Sequence, residues 1–336
     1  MAAVRRDIVI VMFRRSLVAL CFLASFAAGA EFPKAEISNG AVTAKFYLPD
    51  PEHGYYQGTR FDWSGVIYSL RTLDHEFFGP WFEKYDPKLH DAIMGPVEEF
   101  KTDNAGLGYA EAAPGGTFIR IGVGVVKKPQ EPRYEGFKTY DIVDPGKRKV
   151  KTGKDWISFV HELNDKNGYA YEYTKTIRLV KGKPEMVIEH SLRNTGKKEI
   201  RTAQYNHNFF VIDGKPTGPE SSLKFPFDLH ELKPASDGLT EVRTREIAYT
   251  KQLVKGDRTY KEFEGYGKTA SDYDFRMENR SAGAGVHITG DQPLSKMVFW
   301  SIHTVFSLEP YIEFSVEPGK THKWNYHYEF YTLVKQ

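Results

Sequence analysis

Two stretches of this chain leave little choice of architecture. Residues 169–180, YAYEYTKTIRLV, and 323–331, KWNYHYEFY, alternate apolar and polar side chains at period two over many positions. A helix would scatter that pattern around its axis. A strand gathers it on one face, so both stretches read as half-buried antiparallel strands. Further strand-like runs lie at 41–48, 65–73, 117–128, 156–163, 185–195, 284–290 and 296–303, separated by turn sequences such as VKGKPE, RNTGKKE and EPGKTH. There is no sustained helical stripe and no repeat of fixed length, and strands do not alternate with helices as in a nucleotide-binding α/β fold. The expected fold is all-β, a large antiparallel β-sandwich. No low-complexity linker interrupts residues 31–336, which are read as one domain, with loop-rich excursions at 80–116 and 213–282 placed to line a cleft. Tyr 20, Phe 23 and Trp 5 supply the aromatic surface that such a core needs.

The first thirty residues stand apart from this pattern. Arg5, Arg6, Arg14 and Arg15 precede an apolar run from Leu17 to Ala28, and Ala28-Gly29-Ala30 follows before Glu31. That order is a secretory signal, too short between its flanks to be a comfortable membrane span. The expectation is a periplasmic or secreted protein beginning near Glu31, with no stable membrane span after cleavage. Removing the leader takes four arginines and one aspartate from 46 basic and 44 acidic residues, leaving a formal charge of −1. No basic excess remains to hold a phosphate backbone, so nucleic acid is not an expected partner. Cys21, the only cysteine, leaves with the leader, and with it any disulfide, thiol nucleophile or zinc-thiolate site.

Several motifs carry little on inspection. HEFF at 75 and HELN at 161 open like zinc helices, yet lack the second histidine and lie in strand-like context. GVGVV at 122–126 is a G-x-G read as lying inside a strand, where glycine permits close backbone approach. Adjacent Glu98 and Glu99, if in a strand, point to opposite faces and make a poor acid–base pair for a glycosidase; a solvated role is favoured for them. His90 and Asp91 sit in a loop punctuated by Pro and Gly, where polar residues more often act. RFDWSG at 60–65 sets Arg60 and Asp62 around two rings, suiting either sugar recognition or a surface ion pair beside a core tryptophan.

The stretch YNHNFF at 205–210 crowds Asn206, His207 and Asn208 into one strand-sized window. Together with segments between residues 271 and 330, it resembles the galactose mutarotase (aldose 1-epimerase) superfamily. Asn206, His207, Phe209 and Phe210 fit that superfamily's Asn-His-x-(Tyr/Phe)-Phe motif. SDYDF at 271–275 is similar to a segment supplying a substrate-binding aspartate, here Asp272. AGVHITGDQPLSKMVFWS at 284–301 and SLEPYIEFSVEPGKTHKWNYHYEF at 307–330 resemble its closing strands, with Glu309 as the acidic residue after a strand. The order holds over residues 170–336. The N-terminal half agrees in outline, with His90-Asp91 standing where classical epimerases carry a His-Gly-Gly loop.

The resemblance implies a mutarotase-type sandwich that binds carbohydrate and interconverts sugar anomers by acid–base ring opening. Glu309 would be the base and His207 the acid, with Arg60, His90, Asn206 and Asp272 orienting sugar hydroxyls. Burial would raise the Glu309 carboxyl toward neutrality. Such a step needs no cofactor and no metal. The two groups are expected to converge across a pyranose-sized hollow. A non-catalytic carbohydrate-binding protein of the same fold is the alternative, favoured by the missing His-Gly-Gly loop. A polysaccharide lyase or hydrolase would want an extra helical domain for which the chain has no room.

Overall fold

The computed structural model describes residues 31–232 and 237–334, so the leader read in residues 1–30 lies outside the described residues. Strands dominate what is described, and all their pairings are antiparallel. They form a ten-stranded sheet, a six-stranded sheet, and smaller sheets of four and three strands. Both period-two stretches are interior strands of the ten-stranded sheet. Ala170–Leu179 turns Tyr171, Tyr173 and Ile177 inward, and Thr321–Thr332 does the same with Trp324, Tyr326, Tyr328 and Phe330. Tyr173, Trp324, Tyr326 and Tyr328 meet Phe100, Phe314, Gln204 and Asn206 of the six-stranded sheet. Burying each large apolar side chain is worth about 1.5–3 kcal/mol, which is why this alternation, more than any local preference, dictates the architecture.

The six-stranded sheet carries the side chains of interest. In spatial order its strands are His230–Glu231, Arg258–Glu264, Lys296–Ile302, Val305–Val316, Ile200–Phe209 and Gly95–Lys101. One face packs on the ten-stranded sheet. The other forms the floor of an open cleft, walled by the segments around Arg60, His90 and Phe137. Gly95 begins its strand at φ +87, and a Cβ there would lie 3.0 Å from the Ile67 carbonyl oxygen, so only glycine fits without strain.

Two expectations are corrected. The run at 117–128 is two strands, Thr117–Arg120 and Gly124–Lys127, joined by a turn in which Gly122 has φ +82. The G-x-G motif therefore marks a hairpin, with the close approach made by the Asp62 side chain, 2.6 Å from where a Gly122 Cβ would sit. Glu309 does not follow a strand; it lies inside Val305–Val316, with Pro310 beside it in mid-sheet. Pro310 has no N–H to give to the ladder. Pairing with Ile200–Phe209 runs from Ile200↔Val316 to Tyr205↔Tyr311, then returns only as the bridge Phe210↔Phe306. In the gap the Asn208 side-chain amide donates to the Leu308 carbonyl at 3.0 Å, doing what a main-chain N–H would have done. The interruption falls where His207 and Glu309 sit.

Candidate active site

Strand parity sorts the YNHNFF stretch at 205–210. His207 and Phe209 line the cleft and Tyr205 shares their face beneath it, while Gln204, Asn206 and Asn208 point into the sandwich. The inward amides are consumed by the facing sheet. Tyr326 Oη donates to Gln204 Oε1 at 2.5 Å, Asn206 Nδ2 donates to Tyr328 Oη at 3.1 Å, and Tyr328 Oη donates to Asn208 Oδ1 at 2.9 Å. Gln204 Nε2 donates in turn to Asn206 Oδ1 at 2.8 Å. Asn206, expected to orient a sugar, is thus on the wrong face for the cleft.

On the cleft floor, His207 Nε2 lies 3.1 Å from Glu309 Oε1, with the side chains only 4% and 8% exposed. His207 Nδ1 is 2.6 Å from Ser307 Oγ, and Tyr311 Oη donates to Glu309 Oε2 at 3.1 Å. Aromatic rings fix the imidazole plane. Phe209 stacks on it at 3.8 Å between centroids, while Phe61 and Trp300 approach edge-on at 5.8 and 5.7 Å. The pair therefore meets at one point of the floor and does not stand on opposite sides of a hollow. That suits ring opening, because the anomeric hydroxyl oxygen and the ring oxygen are bonded to the same carbon.

The Glu309 carboxyl is held below the ordinary carboxylate range, the reverse of the expected rise. Burial alone pushes it up, but the charge and hydrogen bond of His207, then Arg60 and Lys101, pull it further down. Glu309 is accordingly ionised at neutral pH, the state a base requires.

Arg60 lines the cleft wall and is held by three polar partners. Its Nε donates to Glu99 Oε2 at 3.0 Å, Nη2 to Tyr205 Oη at 3.2 Å, and Nη1 to Asp91 Oδ1, while its plane lies 4.4 Å from the Phe61 ring centroid and 5.0 Å from that of Phe137. His90 Nε2 is 2.9 Å from Asp91 Oδ2 and lines the same wall. Glu99 also binds Arg120 Nη2 at 2.9 Å, and accepts from Tyr205 Oη. Burial raises its pKa, but Lys101, Arg60 and Arg120 overwhelm that and hold it well below the usual range. The solvated role favoured for Glu98 and Glu99 is overturned, since both are essentially fully buried. Glu98 faces inward, in contact with Lys175 Nζ and 3.1 Å from His190 Nε2. Nor do Arg60 and Asp62 form a surface pair. Asp62 turns into the core, where burial pushes its pKa up to about 6 against the pull of Lys175.

Of the residues singled out in the sequence, His207, Glu309, Arg60 and His90 converge on one cleft of about 330 Å³. Asn206 and Asp272 do not. Asp272 sits in a short 3-10 turn at the surface, accepting from the Gly267 N–H at 2.5 Å, a turn-closing role. Sequence reasoning missed Ser307, Tyr311, Trp300, Tyr260, Lys101, Arg258, Lys296 and Phe137. Parity could have found the first two once Glu309 was in hand, as positions 307, 309 and 311 of one strand share a face. Phe137, 65% exposed at the rim, belongs to a loop with no period to read. Among the described residues no group of His, Cys, Asp and Glu is arranged to hold a metal ion, and no helix is long and apolar enough to cross a membrane.

No protein-family model and no curated protein sequence matches the chain. Solved structures do. A galactose mutarotase-like protein from Clostridium acetobutylicum superposes with a TM-score of 0.55 at 12% identity, over 90% of this chain and 96% of that one. A galactose mutarotase related enzyme from Lactobacillus acidophilus gives 0.54 at 13%, over 90% and 99%. A galactose mutarotase-like protein from Lactobacillus casei gives 0.52 at 11%, over 89% and 100%. Such likeness over nearly whole chains, at identities this low, is a likeness of fold. The protein has the β-sandwich fold of the galactose mutarotase-like superfamily.

Proposed function

We propose that the protein interconverts the anomers of an aldose, with Glu309 as base and His207 as acid. The observation that carries the reading is their 3.1 Å contact at the floor of an aromatic-lined cleft. On binding, the two oxygens of the anomeric carbon come between the pair. Glu309 takes the proton of the anomeric hydroxyl as His207 gives one to the ring oxygen, and the bond from that oxygen to the anomeric carbon breaks. Rotation of the freed aldehyde and the reverse transfers close the ring with the other configuration. Each proton removed is matched by one supplied, and such paired transfer is worth about 10²–10⁴ in rate per group. Trp300, Tyr260 and Phe137 offer ring faces to the apolar side of a pyranose. Arg60 and His90, locked by Glu99 and Asp91, present a rigid polar wall to its hydroxyls.

The resemblance to mutarotase-like structures supports a sugar as the substrate class, and the leader read in residues 1–30 supports action in the periplasm or outside the cell. Polarimetry or NMR exchange on a panel of hexoses and pentoses tests the chemistry. Acceleration of at least one anomer exchange, removed by His207→Ala and by Glu309→Gln, is expected. No acceleration across the panel, with saturable glycan binding, would replace the proposal with a carbohydrate-binding role. N-terminal sequencing of the exported protein, expected to begin near Glu31, tests the location.

A further inference from the structure

Resting on that reading, the geometry points to a narrower substrate class: an aldose carrying an oxyanion, a carboxylate or a phosphate ester, seated between Lys101 and Lys296. The catalytic cleft does not end at its floor. It shares Lys101, Lys296 and Tyr311 with a second hollow of about 560 Å³ that runs on past Thr102, Arg201 and Phe314. The two lysines come from different strands, yet their ammonium groups flank one ring, at 5.9 and 5.7 Å from the Tyr311 centroid. Tyr311 is the residue that also holds Glu309. A group placed at this junction is therefore within reach of a sugar whose anomeric carbon lies at the His207–Glu309 pair.

Lys101 is poorly served by the protein itself. Its nearest carboxylate oxygen, Glu99 Oε2, is 3.8 Å away and already accepts from Arg60 and Tyr205. Among the described residues its ammonium donates no hydrogen bond and rests 5.4 Å from the Tyr205 ring centroid. A lysine whose side chain is 26% exposed, lining the cleft with its ammonium donors unused, is set to receive an acceptor from outside. Lys296 donates to Glu262 Oε1 at 3.0 Å and remains 43% exposed, leaving donors for a second acceptor. In the second hollow Asp103 and Glu313 offset Arg201, so the paired lysines of the shared wall are where an anion finds its positive charge. A neutral sugar would offer these donors hydroxyl oxygens without the opposite charge that makes such bonds strong.

The test compares one neutral hexose with its uronic acid and its 6-phosphate, by NMR anomer exchange with the purified protein. One of the two anionic sugars is expected to show kcat/KM at least ten-fold above the neutral parent, with the advantage shrinking as salt rises. Which of the two wins separates a carboxylate from a phosphate. Lys101→Met and Lys296→Met should each shrink the anionic-to-neutral ratio about ten-fold, and Lys101→Arg should restore part of it. A ratio near one in the wild type, with the neutral sugar turned over, overturns the inference and leaves the proposed function standing. Calorimetric binding of the same three sugars to Glu309→Gln decides the matter even if no exchange is seen. Tighter anionic binding supports the seat between the lysines without the chemistry, and equal or absent binding overturns it.

Discussion

Glu98 and Glu99 are neighbours in one strand, both buried and both held as carboxylates below the ordinary range, yet they serve opposite faces of the sheet. Glu98 is closed in by Lys175 and His190 inside the sandwich. Glu99 faces the cleft, where its partners Arg60 and Lys101 still border open space. The same division separates Asn206 from His207 one strand away. Glu98 and Asn206 spend their hydrogen-bonding capacity on the protein, whereas Glu99 and His207 are held in place beside open space. Burial and lowered pKa thus fail to separate structural from functional groups here, and what each side chain faces succeeds.

The sharpest way to break this division is to mutate one group on each face. Glu309→Gln should cut anomer exchange by about 10²–10⁴ while moving stability by about 1 kcal/mol or less, since glutamine still accepts from His207. Glu98→Gln should do the reverse. Lys175 is fully buried, and removing its counter-charge is expected to cost about 3–5 kcal/mol, with the folded fraction exchanging sugar near the wild-type rate. Thermal unfolding beside NMR exchange reads both. If Glu98→Gln lost its exchange at full stability, the interior cluster would belong to the reaction and the division would be wrong.

A smaller effect sharpens the comparison at the strand gap. Asn208→Ala leaves the Leu308 carbonyl without its donor and Tyr328 Oη without its acceptor, which should cost about 1–3 kcal/mol in chemical denaturation. Ser307→Ala, on the cleft side of the same gap, removes one hydrogen bond that orients His207 and should slow exchange about ten-fold with little change in stability.

The architecture was legible because period-two alternation is written locally and survives every tertiary detail, as Tyr326, Tyr328 and Phe330 show. His207 and Glu309 were legible through family resemblance. Their contact was not, because it depends on the register between Ile200–Phe209 and Val305–Val316, which no local pattern records. The misplaced residues fail for stateable reasons. The parity that sets Glu98 and Glu99 on opposite faces also sends the Asn206 amide inward beside an outward His207. The strand around Glu309 is hidden by Pro310, since proline in mid-sheet removes a ladder bond, and the compensating Asn208 amide lies far away in the chain. The cleft walls come from loops at Arg60, His90 and Phe137, whose convergence is a tertiary fact.

The smallest predicted effect concerns acid. Because the folded Glu309 pKa lies below that of an unfolded glutamate, about 4.3, its ionised form stabilises the fold at any pH above that value. The contribution fades as pH falls through the lowered folded pKa. Wild type and Glu309→Gln should therefore differ by about 1 kcal/mol or less at neutral pH and converge in acid, whereas wild type and Glu98→Gln should start several-fold further apart and converge in the same direction. Urea titrations from pH 7 downward measure both gaps. Equal gaps at neutral pH would mean that the cleft carboxylate is as tightly bound into the fold as the interior one, leaving it no freedom to exchange its imidazole partner for a sugar oxygen.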